Sequence, residues 1–109
     1  MEKLLWIVSL KARVLPGSPL AMDGSEFMYG ECVGFASSLE DMEQQLQEDM
    51  DDAKLEVIER FFISPVTEAK WIADSEYKNS ILDLIEEVKI TRSFTSGIFR
   101  SSQYLGMNI

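Results

Sequence analysis

A Gly-x-Cys-x-Gly motif is the part of this sequence whose residue types and spacing could do chemistry. The motif runs from Gly30 to Gly34 and places Cys32 between an apolar stretch and a helix-like stretch. In a nucleophile elbow, the residue at this position attacks a carbonyl carbon from a tight turn between a strand and a helix. The motif therefore raises the hypothesis of a hydrolase that uses Cys32 as its nucleophile.

The residues around Cys32 argue against that hypothesis. Strand-like residues continue past Cys32 to Ala36, so the motif does not lie at a turn. The chain contains no histidine, the usual base for a cysteine nucleophile at neutral pH. The neighbouring carboxylate of Glu31 disfavours a thiolate, because a negative charge raises the pKa of a thiol. We therefore predict that Cys32 is a small buried residue and that the chain is not an enzyme.

Other catalytic and ligand-binding patterns are also incomplete. The acidic segment 48–52 lacks the glycine of an EF-hand loop, and a single cysteine without histidine cannot form a transition-metal site. The segment "GSPLAMDG" lacks the lysine and hydroxyl residue of a P-loop. Carboxylates on two predicted helices could form acid–base pairs, but they lie off the apolar stripes: Glu40, Glu43, Asp83, Glu86 and Glu87. We expect no cofactor, no metal and no catalytic residue.

The charge of the chain is strongly negative and unevenly distributed. The formal net charge is −9, and residues 14–53 contain no lysine or arginine. That interval carries a charge of −10 from its acidic residues, which are Asp23, Glu26, Glu31, Glu40, Asp41, Glu43, Glu48, Asp49, Asp51 and Asp52. Because such a protein repels phosphate backbones, we expect no nucleic-acid partner.

The length and composition predict one globular domain over residues 1–109. The chain is 46% hydrophobic, which is typical of a packed core. No apolar run approaches the roughly 20 residues that span a bilayer, so we expect no membrane partner. One cysteine cannot form an intrachain disulfide, and we expect a cytoplasmic location.

Hydrophobic periodicity divides the chain into six elements. Alternating residues predict strands at 3–14, 26–36, 54–63 and 94–100, and helical stripes predict helices at 38–52 and 76–91. We expect a flexible loop at 15–24 and a mobile C-terminal tail at 101–109, whereas 66–74 has no clear pattern.

Local signals refine the helices and the second strand. Ser37 and Glu40 have the spacing of a capping box, and Asp74 or Ser75 is expected to cap the second helix. The first helix has one narrow apolar stripe: Leu39, Met42, Leu46 and Met50. One face of the second strand has mostly small residues, which would let this helix approach closely: Met28, Gly30, Cys32, Gly34 and Ala36.

The order β–β–α–β–α–(β) predicts an α+β fold. We expect a two-layer α/β sandwich, ferredoxin-like or a near relative, with both helices on one sheet face.

The acidic first helix provides the main functional hypothesis. We expect a non-enzymatic protein-interaction domain, such as an immunity or antitoxin-type inhibitor, that covers a basic protein surface. The expected binding residues are Glu40, Asp41, Glu43, Glu48, Asp49, Asp51 and Asp52.

Two alternatives remain open. One is a small-molecule-sensing domain that acts as a homodimer and binds its ligand among aromatic residues, namely Trp6, Phe61, Phe62 and Trp71. A homodimer would form through a sheet edge or the C-terminal tail. In the other, the acidity serves solubility alone.

Overall fold

The computed structural model describes residues 3–18, 27–75 and 77–101. In chain order it contains β1 (Leu4–Val14), β2 (Phe27–Ala36), α1 (Leu39–Asp52), β3 (Leu55–Pro65), α2 (Lys78–Thr91) and β4 (Thr95–Ser101). Two 3-10 turns, Val66–Glu68 and Lys70–Asp74, occupy the stretch without a sequence pattern. Every strand and helix lies within two residues of its predicted bounds. Most of the predicted loop and tail, residues 19–24 and 102–109, lies outside the described residues.

The four strands form one antiparallel sheet in the order β3-β1-β2-β4. Strand β1 is central and pairs with β2 and β3, and β4 pairs with the outer side of β2. The chain therefore has a small α+β fold, as the alternation and helical stripes predict.

The two helices lie on opposite faces of this sheet. The buried residues of α1 pack with Val8, whereas those of α2 pack with Ile7. Successive strand residues point to opposite faces, so the two clusters are separated by the sheet. The prediction of a two-layer, ferredoxin-like sandwich with both helices on one face is wrong, and the arrangement has three layers. Strand β2 has apolar residues on both faces, because Val33 packs in the α2 core and Cys32 packs in the α1 core.

Helix α1 begins one residue later than the capping box predicts. Its N-cap is Ser38, whose hydroxyl accepts a hydrogen bond from the backbone N–H of Asp41 at 3.1 Å. The carboxylate of Asp41 in turn accepts from the backbone N–H of Ser37 at 2.9 Å. Asp41 thus takes the place expected for Glu40, which is exposed. Leu39, expected in the apolar stripe, is 49% exposed because it lies in the first turn.

The start of α2 also differs from its prediction. The N-cap is Tyr77, and its side chain does not cap the helix. Ser75 instead accepts from the backbone N–H of Tyr77 at 3.1 Å, so it stabilises the turn before the helix.

Strand β3 departs from regular alternation at two places. The register against β1 shifts between Ser9 and Leu10 and again between Lys11 and Ala12. The residues of β3 left without a register partner are Phe61 and Ile58. An extra residue changes which side chains face each side of a sheet. Regular alternation along this strand would place Leu55, Val57, Phe61 and Ile63 on one face. In the structure, Phe61 instead stacks on Tyr29 on the α2 side.

The beginning of the predicted flexible loop is tied to the junction between α1 and β3. The backbone N–H of Leu15 donates to Lys54 O, and the buried Ser18 hydroxyl donates to Ala53 O at 2.7 Å.

None of the helices in the described residues combines the length and the apolar character that a membrane span requires.

Candidate functional site

The candidate site is the outward face of α1. The inward face of the same helix packs on the sheet and fixes its position. Met42, Leu46 and Met50 are fully buried. They pack against one continuous set of strand residues, namely Val8, Leu10, Ala12, Cys32, Ala36 and Leu55. Each such side chain contributes about 1.5–3 kcal/mol on burial, so this stripe decides where the helix lies.

Three of the seven predicted binding acids make contacts inside the fold. Asp41 caps the helix; the backbone N–H of Ser37, followed by the amide of Gln45, lowers the pKa of its carboxyl group. Glu43 forms an ion pair with Arg60 of β3 at 2.8 Å. Asp49 accepts a hydrogen bond from the hydroxyl of Ser96 in β4 at 2.8 Å. Residues 14–53 contain no lysine or arginine, but the fold brings Arg60 from β3 to Glu43.

The other four acids, Glu40, Glu48, Asp51 and Asp52, are exposed on the outward face of α1. Two of them accept hydrogen bonds from amides one helical turn earlier, at Gln44 and Gln47. Within the described ranges, no lysine or arginine nitrogen lies within 4.0 Å of these four carboxylates. We call this set the acidic face of α1.

Two carboxylates of the acidic face are poorly placed for the helix itself. Asp51 and Asp52 lie in the last turn, which contains no basic residue. The C-terminal end of a helix dipole disfavours negative charge by about 0.3–1 kcal/mol per group. The buried stripe outweighs this cost, so the acids persist at the expense of some helix stability.

Cys32 lies beneath α1 and is inaccessible. It is fully buried in the core shared by β1, β2 and α1. Burial raises the pKa of its thiol well above the usual value, and the charges of Asp49 and Glu31 raise it further. Such a thiol is a poor nucleophile, because the thiolate is the reactive species.

The structure does not bring together two other predicted sets of residues. The carboxylates of α1 and α2 lie in layers separated by the sheet, so they do not form acid–base pairs. The four aromatic residues of the expected ligand pocket are also divided. Trp6 packs in the α1 core, Phe62 stacks on Trp71 at 5.1 Å in the α2 layer, and Phe61 stacks on Tyr29.

A groove of about 470 Å³ beside the N-terminal half of α1 has no counterpart in the sequence-based hypotheses. Its lining combines both charges: Lys3, Phe35, Asp41, Gln44, Gln45, Glu48 and Arg92. Arg92 is the left-handed C-cap of α2 (φ 62°), and its guanidinium lies 4.0 Å from the ring centre of Phe35. No sequence signal could place Arg92 here, because three distant segments meet only after folding.

Among the residues that the structure describes, no three histidine, cysteine, aspartate or glutamate side chains are grouped to hold a metal ion.

Comparison of the chain with family models, curated proteins and solved structures gave no match in any of the three.

Proposed function

We propose that this chain is a non-enzymatic protein-interaction domain that binds a basic protein surface through the acidic face of α1. An immunity or antitoxin-type inhibitor, which covers a basic active site, is the kind of protein that this proposal describes. The observation that carries it is the separation of seven acids into two groups. Three have structural contacts, and four are exposed with no ion pair to a described lysine or arginine.

In the isolated chain, two of the exposed acids lower the stability of α1. Asp51 and Asp52 destabilise the end of the helix on which they lie. Solubility requires net charge, but it does not require that charge on the least favourable turn. A basic partner would relieve the repulsion and would be steered to this face during association.

The alternative of a small-molecule sensor has less structural support. The aromatic residues expected to line one pocket are divided between two faces of the sheet. The groove at Arg92 is lined by side chains of both charges, and its apolar contribution is one ring, Phe35. Binding pockets for small molecules are mostly apolar with a few polar groups.

The decisive experiment compares two variants that change the net charge equally. The test variant carries Glu48→Gln, Asp51→Asn and Asp52→Asn on α1. The control carries Asp83→Asn, Glu86→Gln and Glu87→Gln, which are exposed on α2 across the sheet. Asp49 is left intact because it holds Ser96 of β4.

Each variant and the unmodified chain would be used to capture proteins from the native host, and any partner would be identified and purified. We expect the test variant to slow association with that partner by at least about tenfold at low salt, and the control to leave it nearly unchanged. The unmodified chain should associate more slowly as salt is added. Equal effects of the two variants, or association that is insensitive to salt, would contradict the proposal. The absence of catalytic activity remains a prediction, checked by a hydrolase screen that includes Cys32→Ala.

A further inference from the structure

The face of the sheet that carries α2 is covered over only part of its area. The helix and the 3-10 turns pack on Ile7 and Val33 and their neighbours. Farther along β1 and β2, the same face presents Lys11, Phe27 and Tyr29, which are only partly buried. Phe61 and Phe62 of β3 adjoin them and are 43% and 50% exposed.

These residues form one organised surface, which we call the open patch: Lys11, Arg13, Phe27, Tyr29, Glu56, Glu59, Phe61 and Phe62. Phe61 stacks on Tyr29 with ring centres 6.4 Å apart, and the ammonium of Lys11 lies 4.4 Å from the ring centre of Phe27. The guanidinium of Arg13 lies 5.8 Å from the same ring. Arg13 and Glu56 approach to 3.7 Å, and Glu59 is the register partner of Lys11.

The charge of the open patch differs from that of the whole molecule. Lys11 and Arg13 supply +2, and Glu56 and Glu59 supply −2, so the patch is formally neutral in a chain of net charge −9. An aromatic centre with adjacent charges of both signs is complementary to a copy of itself, which is the condition for a two-fold interface. Its neutrality also removes the repulsion that two copies would experience through their acidic faces.

We propose that the open patch is the interface of a two-fold homodimer, formed when two copies pack these parts of their sheets face to face. The acidic face of α1 lies on the other side of the sheet, so dimerisation leaves both acidic faces exposed and far apart. The inference does not depend on the function proposed for α1.

The dimensions of the patch are consistent with this interface. Helix α2 stands about 10 Å high beside the patch, and two sheets pack face to face about 10 Å apart, so the sheet of a second copy fits next to the helix. Phe61 and Phe62 leave roughly 200 Å² of aromatic surface exposed, given about 200 Å² for each whole side chain. The aromatic surface and the charged residues around it together form an interface smaller than the ~800 Å² per partner that is usual for a stable complex. The dimer should therefore be weak.

Analytical ultracentrifugation between about 1 and about 500 μM tests the proposal directly. We expect a monomer–dimer equilibrium whose dissociation constant Phe61→Ser raises at least about tenfold. Ile90→Ser is the matched control, because Ile90 is a large apolar residue of α2 that is 81% exposed and outside the patch. A chain that remains monomeric throughout, or an equal effect of the two variants, would overturn the proposal.

A mixing experiment distinguishes the open patch from other interfaces. One variant, Lys11→Glu with Arg13→Glu, makes the patch −4, and another, Glu56→Lys with Glu59→Lys, makes it +4. Both also carry Glu48→Gln, Asp51→Asn and Asp52→Asn, which leaves only one of the four charges with which the acidic face of another copy could attract the positive patch. Each variant alone should be monomeric, and an equimolar mixture should form heterodimers.

If the mixture remains monomeric, the open patch is not the interface. Fluorescence anisotropy with an oligothymidylate provides one further outcome, since exposed rings beside cations can also stack on bases. Tight binding of that probe, lost in Phe61→Ser while self-association persists, would replace the dimer with a nucleic-acid site.

Discussion

Helices α1 and α2 cover the two faces of one sheet differently. Helix α1 buries three residues over a core that runs along β1 and β2, and it presents to solvent four acids that form no ion pair with a described lysine or arginine. Helix α2 buries four residues, Ile81, Leu84, Ile85 and Val88, but leaves part of its sheet face uncovered. The outer surface of the α1 layer is therefore charged, whereas the sheet surface next to α2 is neutral and aromatic.

This difference indicates that the two outer surfaces suit different partners. A charged surface with little apolar area steers an oppositely charged protein and depends on salt. A neutral aromatic surface gains its affinity from desolvation and depends little on salt. Under the two proposals, a single small domain would bind a partner on one face of its sheet and a second copy on the other.

The largest expected effect concerns how α1 is anchored. Leu46→Ala removes a side chain with no exposed surface, and we expect the free energy of unfolding to fall by about 2–5 kcal/mol. Leu39→Ala removes the same atoms from a residue that is 49% exposed and should change it by less than about 1 kcal/mol. Urea denaturation measures both. If the two variants lost similar amounts of unfolding free energy, α1 would not pack on the sheet as described.

A smaller effect distinguishes the glycines of the two faces. A β-carbon at Gly34 would lie 2.6 Å from Cδ2 of the rigid ring of Phe94. At Gly97 it would lie 2.8 Å from Cδ2 of Leu84, the mobile end of an aliphatic side chain. We expect Gly34→Ala to cost about 1–3 kcal/mol and Gly97→Ala less, measured by thermal unfolding.

Phe94→Ala provides the control for the glycine comparison. In that background the space beside Gly34 is free, so Gly34→Ala should lose most of its cost. A cost that is unchanged in the double variant would assign the effect to the backbone of β2 rather than to the ring.

The smallest expected effect is a pH dependence at the start of α1. Hydrogen bonds from Ser37 and Gln45 lower the pKa of Asp41 in the folded chain, whereas the unfolded value is about 3.9. The folded state then binds fewer protons, so the contribution of Asp41 is fully present above about pH 4 and is lost as the pH falls through the folded pKa. The stability difference between the unmodified chain and Asp41→Asn should therefore shrink on acidification. Parallel pH curves for the two proteins would contradict this role.

The elements of the fold were predictable to within two residues, because each depends on local periodicity. The helix caps were placed less accurately. Residues 37–41 contain two serines and two acids, and two pairs have the spacing of a capping box: Ser37 with Glu40 and Ser38 with Asp41. The candidate site was predictable as a set of acids on one helix but not as four exposed residues. The partners of Glu43 and Asp49 are Arg60 and Ser96, which are distant in sequence.

The bulges of β3 were also not predictable. The sequence of β3 fits an unbroken alternation of Leu55, Val57, Phe61 and Ile63 only if Glu59 is accepted on the apolar side. In the structure, two register shifts against β1 place Arg60 beside Glu43 and direct Phe61 towards Tyr29. A bulge depends on the pairing of two strands, and one strand alone does not encode it.

The sequence by itself determined the strands and helices, the burial of Cys32 and the concentration of acid on α1, because these follow from local periodicity and composition. Only the tertiary structure decided on which face each helix lies. The connection through α1 joins two parallel strands, β2 and β3, for which a handedness rule exists. The connection through α2 joins antiparallel strands at opposite edges of the sheet, for which there is none. Helix α2 lies opposite α1 because Ile7 and Val33 give the sheet a second apolar face, and the part of that face beyond its reach is the open patch.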